Sequence, residues 1–143
     1  MIYLLRHGEA EQDAGDDAAR RLTDEGERQS RLAGQALAKL GAQIDACLTS
    51  PKVRAADTAR IACEALGIGP EEEPRLRGGA FDSLELATGR GNAMLVGHEP
   101  YFSAEIARLT GAKARLRKGG VAIVDGTTLV ALLRPVDLAA IAT

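Results

Sequence analysis

The sequence predicts an α/β fold: a three-layer α/β/α sandwich around a mostly parallel central sheet, with an antiparallel edge strand or hairpin near the C-terminus. Three observations predict it. Short apolar runs at residues 2–5, 46–49 and 93–96 alternate with longer stretches of helical periodicity. Stop signals, Gly41, Gly67 and Gly111, close each helical stretch. The last part of the chain then changes character, because two apolar runs, 121–124 and 129–133, flank a turn that begins Asp125-Gly126. No internal repeat or low-complexity tract interrupts this pattern. A length of 143 residues leads us to expect one domain spanning 1–143.

Each element has a local reason. Residues 2–5 form a short apolar run that reads as a buried strand. Residues 23–40 read as a helix, with Thr23 as cap, Asp24 and Glu25 at its positive end, and Leu32, Ala36, Leu37 and Leu40 on one face. Residues 46–49 are a second strand. Ser50-Pro51 then reads as cap and first helical position of a helix running to about residue 66. Residues 67–80 read as a loop, with Phe81 pinning it to the core and a short helix at about 82–88. Residues 93–96 are the third strand, Glu99-Pro100 opens a helix ending near Gly111, and residues 137–142 read as a short terminal helix.

Composition narrows the function. Aromatics are 3% of the chain and Trp is absent, which leaves no platform for stacking bases, and a net charge of −2 gives no global positive field. A nucleic-acid partner is therefore not expected. No apolar stretch approaches the roughly 20 residues of a membrane span, and residues 1–6 lack a basic leader and a cleavage signature. The expectation is a cytoplasmic protein with no membrane contact. Cys47 and Cys63 form no CxxC pair and read as two reduced thiols, at least partly buried.

In a parallel sheet ligands bind beyond the carboxyl ends of the strands. The chain has two histidines, and each directly follows a strand: Leu5 runs into Arg6-His7-Gly8, and Val96 runs into Gly97-His98-Glu99. Both imidazoles are expected at one edge, with Gly8 and Gly97 letting the backbone turn and approach a ligand. Arg6 stands beside His7, a costly place for a charge unless it meets an anion. Arg54 lies near the start of its helix and leans back toward the same edge, where the helix amides also favour an anion. Read alone, Arg54 fits better as a solvated helix arginine paired with Asp57 or Thr58; beside the other motifs it reads as part of the pocket. Two arginines and two histidines converging on one point describe a phosphate pocket, since guanidinium matches phosphate oxygens and neutral imidazole is a nucleophile. Flanking arginines should keep the ring unprotonated.

These motifs resemble the histidine phosphatase superfamily, the phosphoglycerate mutase-like group. Leu5-Arg6-His7-Gly8-Glu9-Ala10, then Ser50-Pro51 with Arg54-Ala55 and Thr58-Ala59, then Val96-Gly97-His98-Glu99-Pro100 come in the family's order. Short length, the Arg21-Leu22-Thr23 to Gly26 segment and Arg117-Lys118-Gly119-Gly120 resemble the compact SixA-type phosphohistidine phosphatases, although Arg21 stands where a proline is common. The resemblance implies a nucleophilic phospho-carrier at His7, with Arg6, Arg54 and His98 holding phosphoryl oxygens and Gly8 close by. It also implies a reaction without metal or organic cofactor.

Larger relatives carry a carboxylic acid that protonates the leaving oxygen. Here Asp82 and Glu85 are the candidates, with Glu71, Glu72 and Glu73 further off, and none matches the family pattern. General acid help is worth about 10²–10⁴ in rate, so its absence tilts the reading toward a P–N substrate, whose imidazole leaving group protonates near neutral pH. The expected activity is removal of phosphate from phosphohistidine of a protein. Alternatives are a phosphatase or mutase of small phosphate esters, and a non-catalytic phosphate-binding module. A metal site from His7, Glu9, His98 and Glu99 is disfavoured because the neighbouring arginines repel a cation. Gly89-Arg90-Gly91-Asn92 precedes a strand and so reads as a turn.

Overall fold

Alternation along the central strands builds two cores. In β1 (Ile2–Arg6), Tyr3 and Leu5 join one buried cluster while Ile2 and Leu4 join the other. In β4 (Ala93–Gly97), Met94 and Val96 go with the first, Ala93 and Leu95 with the second. The computed structural model describes residues 1–12 and 15–143. Among the described residues, six strands form one sheet in the order β3-β2-β4-β1-β5-β6. β2 is Ala46–Thr49, β3 is Pro70–Glu72, β5 is Val121–Asp125 and β6 is Thr128–Leu133. Strands β3, β2, β4 and β1 are parallel, while β5 runs antiparallel to both β1 and β6. The mostly parallel sheet with a C-terminal hairpin at its edge matches the expectation.

One face is covered by α1 (Asp24–Lys39), α2 (Val53–Leu66) and α5 (Pro135–Ala142), which contribute Ala33, Ala36 and Leu37, Ala55, Ala59 and Ala62, and Leu138. The other face is covered by α3 (Ser83–Ala87) and α4 (Tyr101–Thr110), through Leu86, Phe102 and Ile106. The first layer is thin because it is built from alanine and glycine: a Cβ on Gly34 would collide with the Ala62 backbone. That close approach explains a departure from the expected α1 face. Ala33 and Gly34 are buried there, whereas Leu40 is 52% exposed. Cys47 of β2 and Cys63 of α2 are both buried, and the neighbouring Cys63 together with burial pushes the Cys47 thiol pKa up.

The caps behave largely as read. Thr23 accepts the Gly26 N–H at 3.0 Å, and Gly41 follows α1 at φ 75°. Phe81 meets Phe102 edge-on at 5.6 Å. Three boundaries differ. β3 lies inside the expected loop; all three of its residues are exposed, so no alternation marked it, and it exists through backbone pairing with β2. α5 begins two residues earlier than expected, at Pro135, because Asp137 accepts the Arg134 N–H at 2.8 Å and closes the first turn. α2 begins at Val53, with Ser50 and Pro51 outside it.

Candidate active site

The strand register brings the two histidines together. Arg6 pairs with Gly97 across β1 and β4, so His7 and His98 leave adjacent parallel strands at the same edge. The His7 N–H donates to Gly97 O at 3.1 Å, and the ring centroids are 5.2 Å apart. Ser50 leaves β2 beside them, its N–H donating to Val96 O at 2.9 Å. Both rings are buried, His7 at 6% and His98 at 5% exposure.

His7 Nδ1 lies 2.7 Å from its neighbour's carbonyl, Gly8 O. A carbonyl only accepts, so Nδ1 carries the proton and Nε2 keeps its lone pair. Burial pushes the His7 pKa down to about 4; the Gly8 hydrogen bond opposes this, and Arg54, Arg6 and Lys118 add to it by repulsion. Burial is also the leading cause for His98, pushed down to about 3, with His7, Arg54 and Lys52 adding repulsion and Asp17 opposing. Charge repulsion by the arginines, expected from sequence, is real but secondary to desolvation. His98 Nε2 is 2.8 Å from Ser50 Oγ, whose oxygen also accepts the Lys52 N–H at 3.2 Å. Ser50 therefore orients an imidazole and does not start α2.

Arg54 reaches back from α2 as anticipated. Its Nη1 donates to Asp17 O at 2.8 Å and its Nη2 to Asp17 Oδ2 at 3.3 Å. Arg6 Nη1 donates to Leu116 O at 2.9 Å. In both arginines Nε–H is buried with no partner, a costly state for a charged donor. Burial holds both guanidinium pKa values below the ordinary range. The neighbours first weighed for Arg54 are otherwise engaged: Asp57 pairs with Arg60, and Thr58 Oγ1 donates to Arg54 O and accepts the Gly8 N–H at 3.0 Å. Two of the α2 amides expected to face an anion, Ala55 and Ala56, donate to Lys52 O.

Arg6, His7, Arg54 and His98 line one cleft of about 370 Å³. Arg20, Lys52 and Lys118 add three cations to its wall. Arg20 and Lys52 carry no signal of their own in the sequence, Lys118 lies in the Arg117-Lys118-Gly119-Gly120 stretch, and all three stand on connecting segments that only the fold brings together. The glycines serve close packing behind the site. A Cβ on Gly8 would strike the Gly26 backbone, and one on Gly97 would press on the Phe102 ring. Gly8 is expected on the ligand side; the space beside its α-carbon is instead closed by the first turn of α1.

None of the expected acids borders this cleft. Asp82 caps α3 and pairs with Arg108 at 3.0 Å, Glu85 pairs with Arg75 at 3.4 Å, Glu71 pairs with Arg90, Glu73 pairs with Arg75 at 2.9 Å, and Glu72 is exposed. The carboxylate on the wall is Glu99. It accepts the Ser103 N–H at 2.7 Å, the Ser103 hydroxyl and the Leu116 N–H at 3.2 Å. Among the described residues, no three His, Cys, Asp or Glu side chains are grouped to hold a metal ion. No helix among them is long and apolar enough to cross a membrane.

The family model of the histidine phosphatase superfamily, branch 1, matches residues 2–100, the span that carries Arg6, His7, Arg54 and His98. The chain belongs to the histidine phosphatase superfamily. A phosphohistidine phosphatase SixA homolog of Haemophilus influenzae is 31% identical over 128 residues, covering 78% of this chain and 78% of that protein. Among solved structures, the protein histidine phosphatase SixA complexed with tungstate superposes with a TM-score of 0.82 at 24% identity, over 96% of this chain and 98% of that one. The alpha-ribazole phosphatase of Shigella flexneri superposes with a TM-score of 0.74 at 19% identity, over 94% and 96%. At these identities the two structures speak for the fold.

Proposed function

We propose that this superfamily member is a phosphatase that takes a phosphoryl group onto His7 and hydrolyses it, with phosphohistidine of a protein as its substrate. The observation that carries the reading is the 2.7 Å hydrogen bond from His7 Nδ1 to Gly8 O, which fixes the tautomer and leaves Nε2 free to attack. In the first step the Nε2–P bond forms as the substrate's P–N bond breaks, and the departing imidazole takes a proton from solvent. In the second, water attacks phosphorus, inorganic phosphate leaves, and His7 Nε2 is restored. Charge on the equatorial oxygens falls to Arg6, Arg54 and His98. The cationic side chains on the wall of this one cleft, Arg6, Arg20, Lys52, Arg54 and Lys118, support an anion as the natural occupant.

The choice of a P–N substrate rests on the missing acid. Every carboxylate considered for that role is paired outside the cleft or exposed, and Glu99 is held by donors. An imidazole leaving group needs less help than an alkoxide. The resemblance to a SixA homolog points the same way.

Rapid quench with a labelled phosphodonor tests the mechanism: an acid-labile, alkali-stable adduct on His7 is expected. Phosphate binding without any adduct would leave a binding module. A comparable kcat/KM on an alkyl phosphate and a phosphohistidine peptide would shift the substrate to small esters.

A further inference from the structure

A larger depression adjoins the catalytic cleft. It runs along α4 and the 111–115 segment, encloses about 930 Å³, and shares Arg6 and Glu99 with the cleft around His7. Its floor is small and apolar, with Pro100, Ala104, Ala107, Ala112 and Ala114. Lys113 and Arg115 form its rim. A third depression of about 420 Å³ continues from Arg6 past Arg115 to Arg117 and Lys118. All three hollows meet at Arg6.

The charge along this path is concentrated, with four cations within residues 113–118. Lys113, Arg115, Arg117 and Lys118 are exposed, and among the described residues none has an ion-pair partner within 4.0 Å. Elsewhere Arg28, Arg60, Arg75, Arg90, Arg108 and Arg134 are each paired with a carboxylate, and the exposed cations without an ion pair among the described residues, Arg21, Arg31, Lys39 and Arg77, are scattered along the chain and line neither of these two depressions. Glu99, the carboxylate on this wall, has both oxygens engaged by Ser103 and Leu116. A chain of net charge −2 thus keeps an un-neutralised basic strip beside its phosphate cleft.

We infer that this groove docks an extended acidic segment of the protein substrate, flanking the phosphorylated histidine. The inference rests on the reading of His7 as the phosphoryl acceptor. One phosphorylated side chain fills the smaller cleft and leaves the larger groove free. A floor of Pro100 and alanines carries no bulky side chain to block a chain lying along it. Neither basic depression is lined by an aromatic ring, which disfavours stacked bases. Exposed cations without internal partners attract an acidic chain mainly through encounter rate and at low salt.

The test uses a labelled peptide with a non-hydrolysable phosphonate in place of phosphohistidine, flanked by Glu and Asp, and its twin flanked by Ser and Gln. Binding is read by fluorescence anisotropy. The acidic peptide should bind about fivefold tighter at low salt, and the difference should vanish near ~0.5 M salt. The double variant Lys113→Ala/Arg115→Ala should lose that preference, as should Ala107→Glu, which adds a negative charge to the exposed floor. Both variants should turn over a small phosphoramidate at the wild-type rate, which also reports that they fold. Equal affinity of wild type for the two peptides would overturn the inference, as would preference retained in both variants. Tighter binding of a charge-matched oligouridylate would overturn it too. The two readings fail separately. No adduct on His7 with the peptide preference intact sinks the catalytic reading; normal turnover without preference sinks the docking groove.

Discussion

Arg54 and Arg6 line the same cleft in different neighbourhoods. Around Arg54, one carboxylate serves three cations: Asp17 pairs with Arg54 at 3.3 Å, Lys52 at 3.3 Å and Arg20 at 3.0 Å. Those contacts, that with Lys52 foremost, hold the Asp17 pKa down to about 2. Around Arg6, the fixed partner is a backbone carbonyl, Leu116 O, and the nearby Arg115 and Lys118 have no acid partner among the described residues. The contrast teaches how one local excess of positive charge is put to two uses. On the Asp17 side it is partly neutralised and holds the geometry of a guanidinium. On the 113–118 side it is left available to whatever approaches.

If both sides serve one nucleophile, His7→Ala should abolish turnover and the phosphoenzyme altogether, the largest effect expected. Arg54→Ala and Arg6→Ala should each lower kcat/KM by about 10²–10³, as removal of one charge-stabilising donor does. Near wild-type rates at either arginine would break the comparison by removing that side from the site. The pH profile sharpens it. Because the free-enzyme His7 pKa is pushed down to about 4, kcat/KM should hold as pH falls through 6.5 and decline only toward pH 4. Arg54→Ala removes a repulsive charge and should move that acid limb upward. The same shift bears on stability. Native His7 and His98 refuse protons that the unfolded chain accepts below about pH 6.5. Their contribution is complete above that pH and is lost as pH falls, so His7→Gln should flatten the drop in Tm between about pH 7 and 5. The smallest effect belongs to Asp17→Asn. It loosens Arg54 while keeping the backbone contact, and should cost about three- to tenfold in kcat. Loss confined to KM would point to attraction rather than positioning.

The sheet, and the four polar groups at its edge, were legible because they follow local rules. Apolar runs end in Arg6-His7-Gly8 and Gly97-His98, and the parallel register does the rest. Ser50 was seen but misassigned: Ser-Pro after a strand looks like a helix start, and only the neighbouring strand shows that its hydroxyl serves His98. Asp17 and the outer cations were illegible for a different reason. They sit on connections, where no periodicity reports on orientation, and Arg54 and Asp17 are brought together only by the tertiary fold. The candidate acids Asp82 and Glu85 lie at α3, off the cleft, each paired with an arginine at the surface. Strand β3 shows the same limit, since an edge strand with three exposed side chains carries no pattern.

The loop that carries His7 has no clearance behind it. Gly8 rests on the Gly26 backbone, its N–H is tied to Thr58, and Gly26 in turn leaves no space beside Glu9. A single added methyl at either glycine must displace the loop that carries His7, so this seat tolerates almost no sequence drift. Diversification of substrate within such a scaffold is therefore channelled to the rim, where exposed side chains can be exchanged without moving the machinery they surround.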